Sequence, residues 1–253
     1  MTLKEMVKLA NSLGQDFVKD GLLYILKDGK VIVKGSDNDI IEANILEGTE
    51  LIADSAFRGY RNLSIVSIPS TVVHIGAVAF QDCHKLTEIA LPSSVVVLDV
   101  AAFHSCYNLK HVRLSDKLRS IPSEAFRWCK SLESVEVPES VTLIGQNAFS
   151  GCDRLIDIKF SRGLVTIGEM AFWGCRSIRQ LDLPDTVRDI RIEAFKGCVG
   201  LNTVKIPFSV HNIGHNAFLG CMNIRQGTIP RRFHKDMFKI FGRYCKNVIL
   251  NWS

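Results

Sequence analysis

An Ala-Phe pair recurs along this chain with a fixed spacing of 23 residues, and no other feature limits the fold as strongly. Eight such pairs occur without one insertion or deletion between them. The phenylalanines are Phe57, Phe80, Phe103, Phe126, Phe149, Phe172, Phe195 and Phe218. A register this strict means that each unit meets its neighbour in the same way. The chain is therefore predicted to stack into a solenoid rather than close around one central core.

The repeating unit combines a strand pattern with a turn pattern. Residues 86–106 read Leu-x-x-Ile-x-Leu-Pro-x-x-Val-x-x-Leu and then, three residues later, Ala-Phe-x-x-Cys. Alternation of the Ile-x-Leu type predicts a strand with one buried face, and the proline ends it because proline lacks an amide donor. A second apolar pair, as in Val141 and Ile144 before Gly145, is predicted to turn the chain back. Ala-Phe-x-x-Cys then predicts a tight helical turn whose phenylalanine fills the interior.

This motif resembles the leucine-rich repeats of the BspA-like (Treponema-pallidum-type) class. The likeness extends over about residues 40–230, with residues 40–62 as a degenerate first unit. It implies an α+β repeat solenoid, a right-handed superhelix of 23-residue units with one curved parallel β-sheet. Strands about 4.8 Å apart would make that sheet about 40 Å long over eight units. The resemblance also implies an adhesin or a host-interaction protein of a microbe or protozoan.

The N-terminal residues 1–39 are predicted to cap the array, because a terminal unit must present one face to water. Apolar residues at helical spacing over residues 1–19 predict an amphipathic helix. Two short apolar runs, residues 22–26 and 31–33, lie on either side of an Asp-Gly pair. That arrangement predicts a β-hairpin.

Residues 231–253 are predicted to cap the other end. The segment Arg231–Arg243 has an apolar stripe at helical spacing with basic residues elsewhere, and residues 247–253 can supply a closing strand. A basic amphipathic helix can also lie on an anionic membrane surface. We prefer the cap, in which the apolar stripe covers the open end of the core and the charges face water.

The formal net charge of +5 is concentrated at the C-terminal end. Residues 224–253 contain seven Lys or Arg and one Asp, a net charge of +6, so the other residues sum to about −1. A near-neutral array with a basic end argues against a protein that coats nucleic acid.

Seven of the eight cysteines fall on one column of the repeat, which predicts free structural thiols. They are Cys83, Cys106, Cys129, Cys152, Cys175, Cys198 and Cys221, and Cys245 lies outside the register. Neighbours about 4.8 Å apart are within reach of a disulfide, so distance alone leaves a bridge open. Side chains of one column point the same way, however, and no C-x-x-C pair indicates zinc or a redox site. The family resemblance implies a buried free thiol here, and a ladder of thiols favours a reducing compartment.

No residue pattern supports catalysis, a metal or a cofactor. His211 and His215 are four apart but lie in a non-helical return segment, where they would be about 13 Å apart. His84 and His104 lie near column cysteines that recur in units without a histidine. Phosphate-binding, dinucleotide-binding and nucleophile-elbow motifs are also missing from the sequence. We expect neither an enzyme nor a small-molecule substrate.

Candidate binding residues lie where the units differ. The outward strand column alternates in charge, and its flanking column is polar and varied, with His111 as one member. The alternating run is Arg113, Glu136, Lys159, Asp182 and Lys205. Such a ladder is either a solvated face or a recognition surface, and its acidic members argue against a polyanion lying along it.

Three aromatic residues are unusual for their columns. Trp128 replaces the glycine found in later units, Trp173 lies next to such a glycine, and Phe208 follows a proline where other units have mostly small or charged residues. Large aromatics on polar or small columns are favoured at interfaces.

We therefore expect a non-catalytic leucine-rich-repeat scaffold, monomeric, that binds a protein partner through its sheet face or its Trp-bearing edge. An alternative is a secreted or surface adhesin for a host matrix protein or glycan, if a leader was removed. A second alternative is a cytoplasmic scaffold or regulatory subunit. Neither a secretory leader nor an apolar run long enough for a bilayer is visible, so a cytoplasmic location is expected.

Overall fold

The computed structural model describes residue 5 and residues 17–27, 30–242 and 249–252. The predicted N-terminal helix over residues 1–19 falls mostly outside this part of the chain, as does Cys245, but residues 17–19 form a strand, so the prediction is wrong at that end. The described residues form a solenoid of stacked 23-residue units, so the predicted fold class is confirmed.

Two consecutive hairpins open the described chain. Strands β1 (Phe17–Lys19) and β2 (Leu22–Lys27) are antiparallel, and β2 pairs in turn with β3 (Lys30–Gly35). Asp20 and Gly21 join β1 to β2 with φ of 53° and 74°. Positive φ at both central residues is the geometry that a tight hairpin turn needs. The second hairpin is the predicted one, and the first was not expected.

The first ladder of the solenoid consists of short parallel strands, one from each unit. They are β4 (Glu42–Asn44), β6 (Ile65–Ser67), β8 (Glu88–Ala90), β10 (His111–Arg113), β12 (Ser134–Glu136), β14 (Asp157–Lys159), β16 (Gln180–Asp182), β18 (Thr203–Lys205) and β20 (Gln226–Ile229). Paired strands come from adjacent units, so that His111 pairs with both Glu88 and Ser134, and the pairing is interrupted between β6 and β8 and between β14 and β16. Each strand turns its central residue inward and leaves the residues on either side facing outward.

A second parallel ladder, absent from the prediction of one sheet, forms on another side of each unit. Its two-residue strands are β5 (Leu51–Ile52), β7 (His74–Ile75), β9 (Val97–Leu98), β11 (Ser120–Ile121), β13 (Leu143–Ile144), β15 (Thr166–Ile167), β17 (Asp189–Ile190) and β19 (Asn212–Ile213). Strand β3 pairs with β5, so the hairpins extend this ladder. Two residues are too few to show an alternating pattern, which is why the sequence indicated only a return of the chain.

The predicted helical turn at Ala-Phe-x-x-Cys is wrong. These residues form non-helical turns, in which alternate amides, including that of the phenylalanine, bond to the next unit and the others bond three residues back in their own unit. The Phe80 amide donates to the Ala102 carbonyl at 2.7 Å, and the same bond recurs along the array. A helix needs each amide for a carbonyl four residues earlier, so bonding between units excludes it.

A stack of phenylalanine rings runs through the core between the two ladders. The eight register phenylalanines and Phe241 lie face to face with ring centroids 5.1–5.4 Å apart. All nine are buried, as are the alanines that precede the first eight. The core is therefore a continuous column, as the fixed register predicted.

Each column cysteine is a buried free thiol that joins two units. Its Sγ donates to the carbonyl of the preceding unit's phenylalanine, at 3.1–3.2 Å in all seven cases. The same carbonyl also accepts the amide three residues later in its own unit, so the thiol fills its second acceptor site and links two neighbouring units. Burial also raises the pKa of Cys83 to about 12.

The C-terminal segment covers the open end of the core. A 3-10 helix (Arg231–Asp236) leads into α1 (Met237–Phe241), and β21 (Ile249–Trp252) pairs in parallel with β20. Phe233, Ile240 and Phe241 are buried, and Phe241 continues the ring stack on Phe218. The described basic side chains of this segment are exposed, namely Arg231, Arg232, Lys235 and Lys239. This burial is compatible with the predicted cap, and the division into two caps and an array, with boundaries at residues 39 and 230, stays a prediction.

Candidate interaction surfaces

The alternating charges of the first ladder form two separate ion pairs. Lys159 pairs with Glu136, and Lys205 lies 2.9 Å from Asp182. All four side chains are at least 60% exposed, so solvent screens both pairs. Arg113 has no ion pair within the part of the chain that the structure describes. The column is therefore mostly a solvated face, with one unpaired cation at its N-terminal end.

A shallow depression lies beside this unpaired arginine. It measures about 470 Å³ and is lined by Ile65, Glu88, Ala90, His111 and Arg113, among others. Ile65 is about half exposed. The structure thus brings the predicted residues His111 and Arg113 together, but only at a shallow, open surface.

Trp128 and Trp173 meet on a different surface, along the turns. Their rings are 6.3 Å apart and nearly perpendicular, although one whole unit lies between them in the stack. On the N-terminal side, the rings of His84 and Tyr107 stack with centroids 4.7 Å apart. The Lys130 ammonium lies 5.2 Å from the Tyr107 ring and 5.9 Å from the Trp128 ring. We call these five residues the aromatic edge.

Trp128 can reach Trp173 because the unit between them has a glycine. A Cβ atom on Gly151 would lie 2.3 Å from the Trp128 ring, so the indole lies directly across this glycine. The sequence marked Trp128 and Trp173 as separate exceptions. It gave no sign that Gly151 lets them touch, and Tyr107, His84 and Lys130 were missed as neighbours.

The backbone of Trp128 is left-handed, with φ of 62°. Every unit with an Ala-Phe pair has positive φ at this position, where the earlier units hold Gly59, Asp82 and Ser105 and the later ones hold Gly151, Gly174, Gly197 and Gly220. A residue with a Cβ atom pays about 1–2 kcal/mol for this conformation. Bulky residues in such strained positions tend to be found at functional sites. The tryptophan is therefore present in spite of the local backbone preference.

Phe208 does not belong to the aromatic edge. The residue is 66% exposed, and the guanidinium carbon of Arg232 lies 4.3 Å from the centroid of its ring. Arg232 also donates to the Phe208 carbonyl at 3.1 Å. The residue thus contacts the C-terminal segment, away from the two tryptophans.

The histidines near the thiols form no nucleophile and base pair. His104 bonds to Ser105 at 3.0 Å, and burial lowers the pKa of its ring. Burial raises the pKa of the nearby Cys106 thiol well above its ordinary value, which opposes thiolate formation. Among the described residues, no three His, Cys, Asp or Glu side chains are grouped as metal ligands would be. No described helix has the length and hydropathy that a membrane crossing requires.

A family model described as BspA type leucine rich repeat region matches in six copies, over residues 36–130 and 119–248. This match spans most of the chain. The chain belongs to the BspA-type leucine-rich repeat family. Proteins of this family are generally non-enzymatic interaction scaffolds, and no catalytic family matches the chain.

Solved structures of bacterial repeat proteins are similar to this chain. A leucine-rich repeat protein of T. pallidum has 25% identity and a TM-score of 0.59, over 89% of this chain and 96% of that one. One from Bacteroides ovatus has 20% identity and a TM-score of 0.40, over 94% and 99%. A leucine-rich cell surface protein of Faecalibacterium prausnitzii has 17% identity and a TM-score of 0.45, over 94% and 95%. No curated protein matches the chain.

Proposed function

We propose that this protein is a non-catalytic scaffold that binds a protein partner through the aromatic edge. The observation that carries the proposal is Trp128, which keeps a left-handed backbone where four later units use glycine. The fold does not require a tryptophan there, because the glycine units stack with the same register. A large side chain held against the local backbone preference is best explained by what it contacts outside the chain.

The geometry of the aromatic edge suits an interface centre. Trp173 and Tyr107 are each more than one third exposed, while Trp128 is fixed between Gly151 and the neighbouring rings. Tryptophan and tyrosine dominate interface energetics because they bury large areas and lose little rotamer freedom. The continuous core below makes this surface rigid, so little entropy is lost on binding.

The experiment replaces Trp128 by glycine, the residue that the repeat itself uses at this position. Photo-crosslinking in extract from the source organism, followed by quantitative mass spectrometry, measures which proteins contact the chain. We expect recovery of the specific partner to fall at least about tenfold, since loss of a central interface tryptophan costs about 2 kcal/mol or more.

Phe208→Ser is the control, because it removes an aromatic ring that is more exposed than Trp128 and lies outside the aromatic edge. It should leave the recovered partner unchanged. Equal recovery with wild-type and Trp128→Gly protein would show that the aromatic edge is not the contact surface. A loss confined to a His111→Ala, Arg113→Ala variant would place the contact at the first ladder instead.

The compartment and the oligomeric state stay predictions. We include in the proposal the cytoplasmic location and the monomeric state expected from the sequence. Fractionation of source cells and light scattering of the purified chain measure these two properties directly.

A further inference from the structure

Basic residues are concentrated on one strip of the surface, in the short segment between each cysteine position and the first ladder. Eight Lys or Arg residues lie in this segment over the eight units, with only Glu133 and Asp153 as acidic residues. The basic residues are Arg61, Lys85, Lys110, Lys130, Arg154, Arg176, Arg179 and Arg225. We call them the basic strip. Stacking aligns the segments, so a charge excess spread over the sequence is gathered on one side of the array, with a gap at residues 199–202, which carry no charge.

The charges of the basic strip are available to a ligand. All eight side chains are exposed. Arg176 lies 3.7 Å from Asp153, and the other seven make no ion pair with any residue that the structure describes. The ion pairs of the array lie mainly on other surfaces, such as the first ladder.

The basic strip runs directly past the aromatic edge. Lys130 belongs to both surfaces and contacts the rings of Tyr107 and Trp128. Four strip cations precede Trp128 along the stack, or share its unit, and the other four follow. A central aromatic anchor with charges around it is the usual arrangement of an interface, in which the anchor provides affinity and the rim steers association.

The strip also contains a depression with apolar and cationic walls. It measures about 350 Å³ and is lined by Ile156, Arg176, Arg179 and neighbouring polar residues. Ile156 is about half exposed. An aliphatic side chain and two guanidinium groups at one depression fit a ligand that carries both methylene groups and a carboxylate.

We propose that the basic strip binds an extended acidic segment of the protein partner, with an apolar residue of that segment on Trp128 and Trp173. This inference rests on the proposed function. The strip extends over seven unit steps, about 34 Å at the spacing of parallel strands. An extended peptide of about ten residues would span that length.

A protein segment fits the strip better than a nucleic acid does. Glu133 and Asp153 lie in the middle of the strip, where a phosphate backbone would be repelled and a peptide can place a neutral side chain. The aromatic rings also offer no row of free faces for base stacking. Trp128 lies on Gly151 and against Trp173, while Tyr107 is stacked on His84.

The test uses a fluorescein-labelled peptide of about ten residues, with alternating Glu residues and a central Leu-Phe pair. Fluorescence anisotropy with the full chain measures its affinity. We expect binding that weakens at least about tenfold when salt rises from about 0.05 M to 0.3 M. A peptide with Gln in place of every Glu should bind at least about tenfold more weakly.

Charge reversal distinguishes binding at the basic strip from a general attraction between a basic protein and an acidic peptide. Lys110→Glu, Arg154→Glu and Arg179→Glu together should weaken binding of the acidic peptide at least about tenfold. The matched control reverses three exposed cations outside the strip, as Lys117→Glu, Arg119→Glu and Arg162→Glu, and should change binding less than about threefold. Equal losses in the two variants, or equal binding of the Gln peptide, would overturn the inference. So would oligothymidylate or a heparin fragment that bound the strip more tightly than the peptide.

The two proposals fail in different ways. If Trp128→Gly abolishes recovery of the partner but the strip reversal leaves it unchanged, the aromatic edge stands and the acidic segment is wrong. If the strip reversal abolishes peptide binding but Trp128→Gly has no effect on peptide or partner, the strip binds an acidic ligand without the aromatic anchor, and the proposed contact at the edge is wrong.

Discussion

The inner side of the turns is nearly the same in every unit, whereas the outer side varies from unit to unit. On the inner side, the phenylalanine rings stack at nearly constant spacing and each thiol bonds to the unit before it. On the outer side, Trp128 and Lys130 occupy positions that hold glycine and aspartate in the next unit. Trp128 and Cys129 are consecutive residues, yet one is unique in its column and the other is repeated seven times. Identity along a column therefore reports stacking, while departure from it marks a candidate contact.

Because the thiols of the inner side are buried, we expect the free energy of unfolding to fall at alkaline pH. This is the largest effect that we expect. Burial raises the pKa of Cys83, Cys106, Cys129, Cys152 and Cys198 in the folded chain. An unfolded thiol titrates near about 8.5. Above that pH the unfolded chain loses protons that the folded chain keeps, so the free energy of unfolding falls as pH rises.

Each such thiol should lower the free energy of unfolding by about 1.4 kcal/mol per pH unit above its unfolded pKa. Urea titrations between about pH 8 and 9.5 measure this slope below the range in which tyrosines ionise. Cys129→Ala should reduce the slope by the contribution of about one titrating thiol. A slope near zero would contradict the buried, protonated thiols.

Gly151 lies beside Cys152 in the chain and against the Trp128 ring. Its replacement should have the next largest effect on stability. Gly151→Ala adds a Cβ atom at φ of 75° and 2.3 Å from the Trp128 ring. We expect about 2–4 kcal/mol of destabilisation, in part from the backbone and in part from overlap with the indole. In a Trp128→Gly background only the backbone part, about 1–2 kcal/mol, should remain. Chemical denaturation of the four proteins measures the coupling, and equal losses in both backgrounds would mean that the indole does not lie on Gly151.

Gly174 occupies the same position as Trp128 two units later, so the reverse substitution, from glycine to tryptophan, can be made there. No atom of the described residues lies within 4 Å of a Cβ atom placed there, and φ is 71°. Gly174→Trp should therefore destabilise the chain by about 1–2 kcal/mol from backbone strain alone. Gly174→Ala, which has the same strain without a ring, is the control and should lose about as much. A much larger loss for the tryptophan variant would show that this outer surface is not free.

The sequence predicts the inner side better than the outer one. A fixed period and alternating apolar residues identify the register, the first ladder and the buried phenylalanines, because burial repeats with every unit. The second ladder was missed because its strands have two residues. The left-handed position of Trp128 was missed because only its glycine neighbours hint at it. Two further features, the contact between Trp128 and Trp173 and the basic strip, depend on side chains from different units. The pattern within a single repeat column does not show which residues of different columns come together.

Trp128→Gly should have the smallest effect on stability and the largest on binding. Relief of the left-handed backbone returns about 1–2 kcal/mol. Against this, the chain loses the edge-to-face contact with Trp173, about 0.5–1.5 kcal/mol. It also loses cation–π contacts, about 0.5–1 kcal/mol, and the added glycine favours the unfolded chain by a similar amount. These terms nearly cancel, so the free energy of unfolding should stay within about 1 kcal/mol of wild type. Chemical denaturation and partner recovery, measured on the same variant, together decide the role of the residue. A fall of more than about 3 kcal/mol in the free energy of unfolding would mean that Trp128 is structural. Unchanged stability with lost binding would mean that Trp128 contacts the partner.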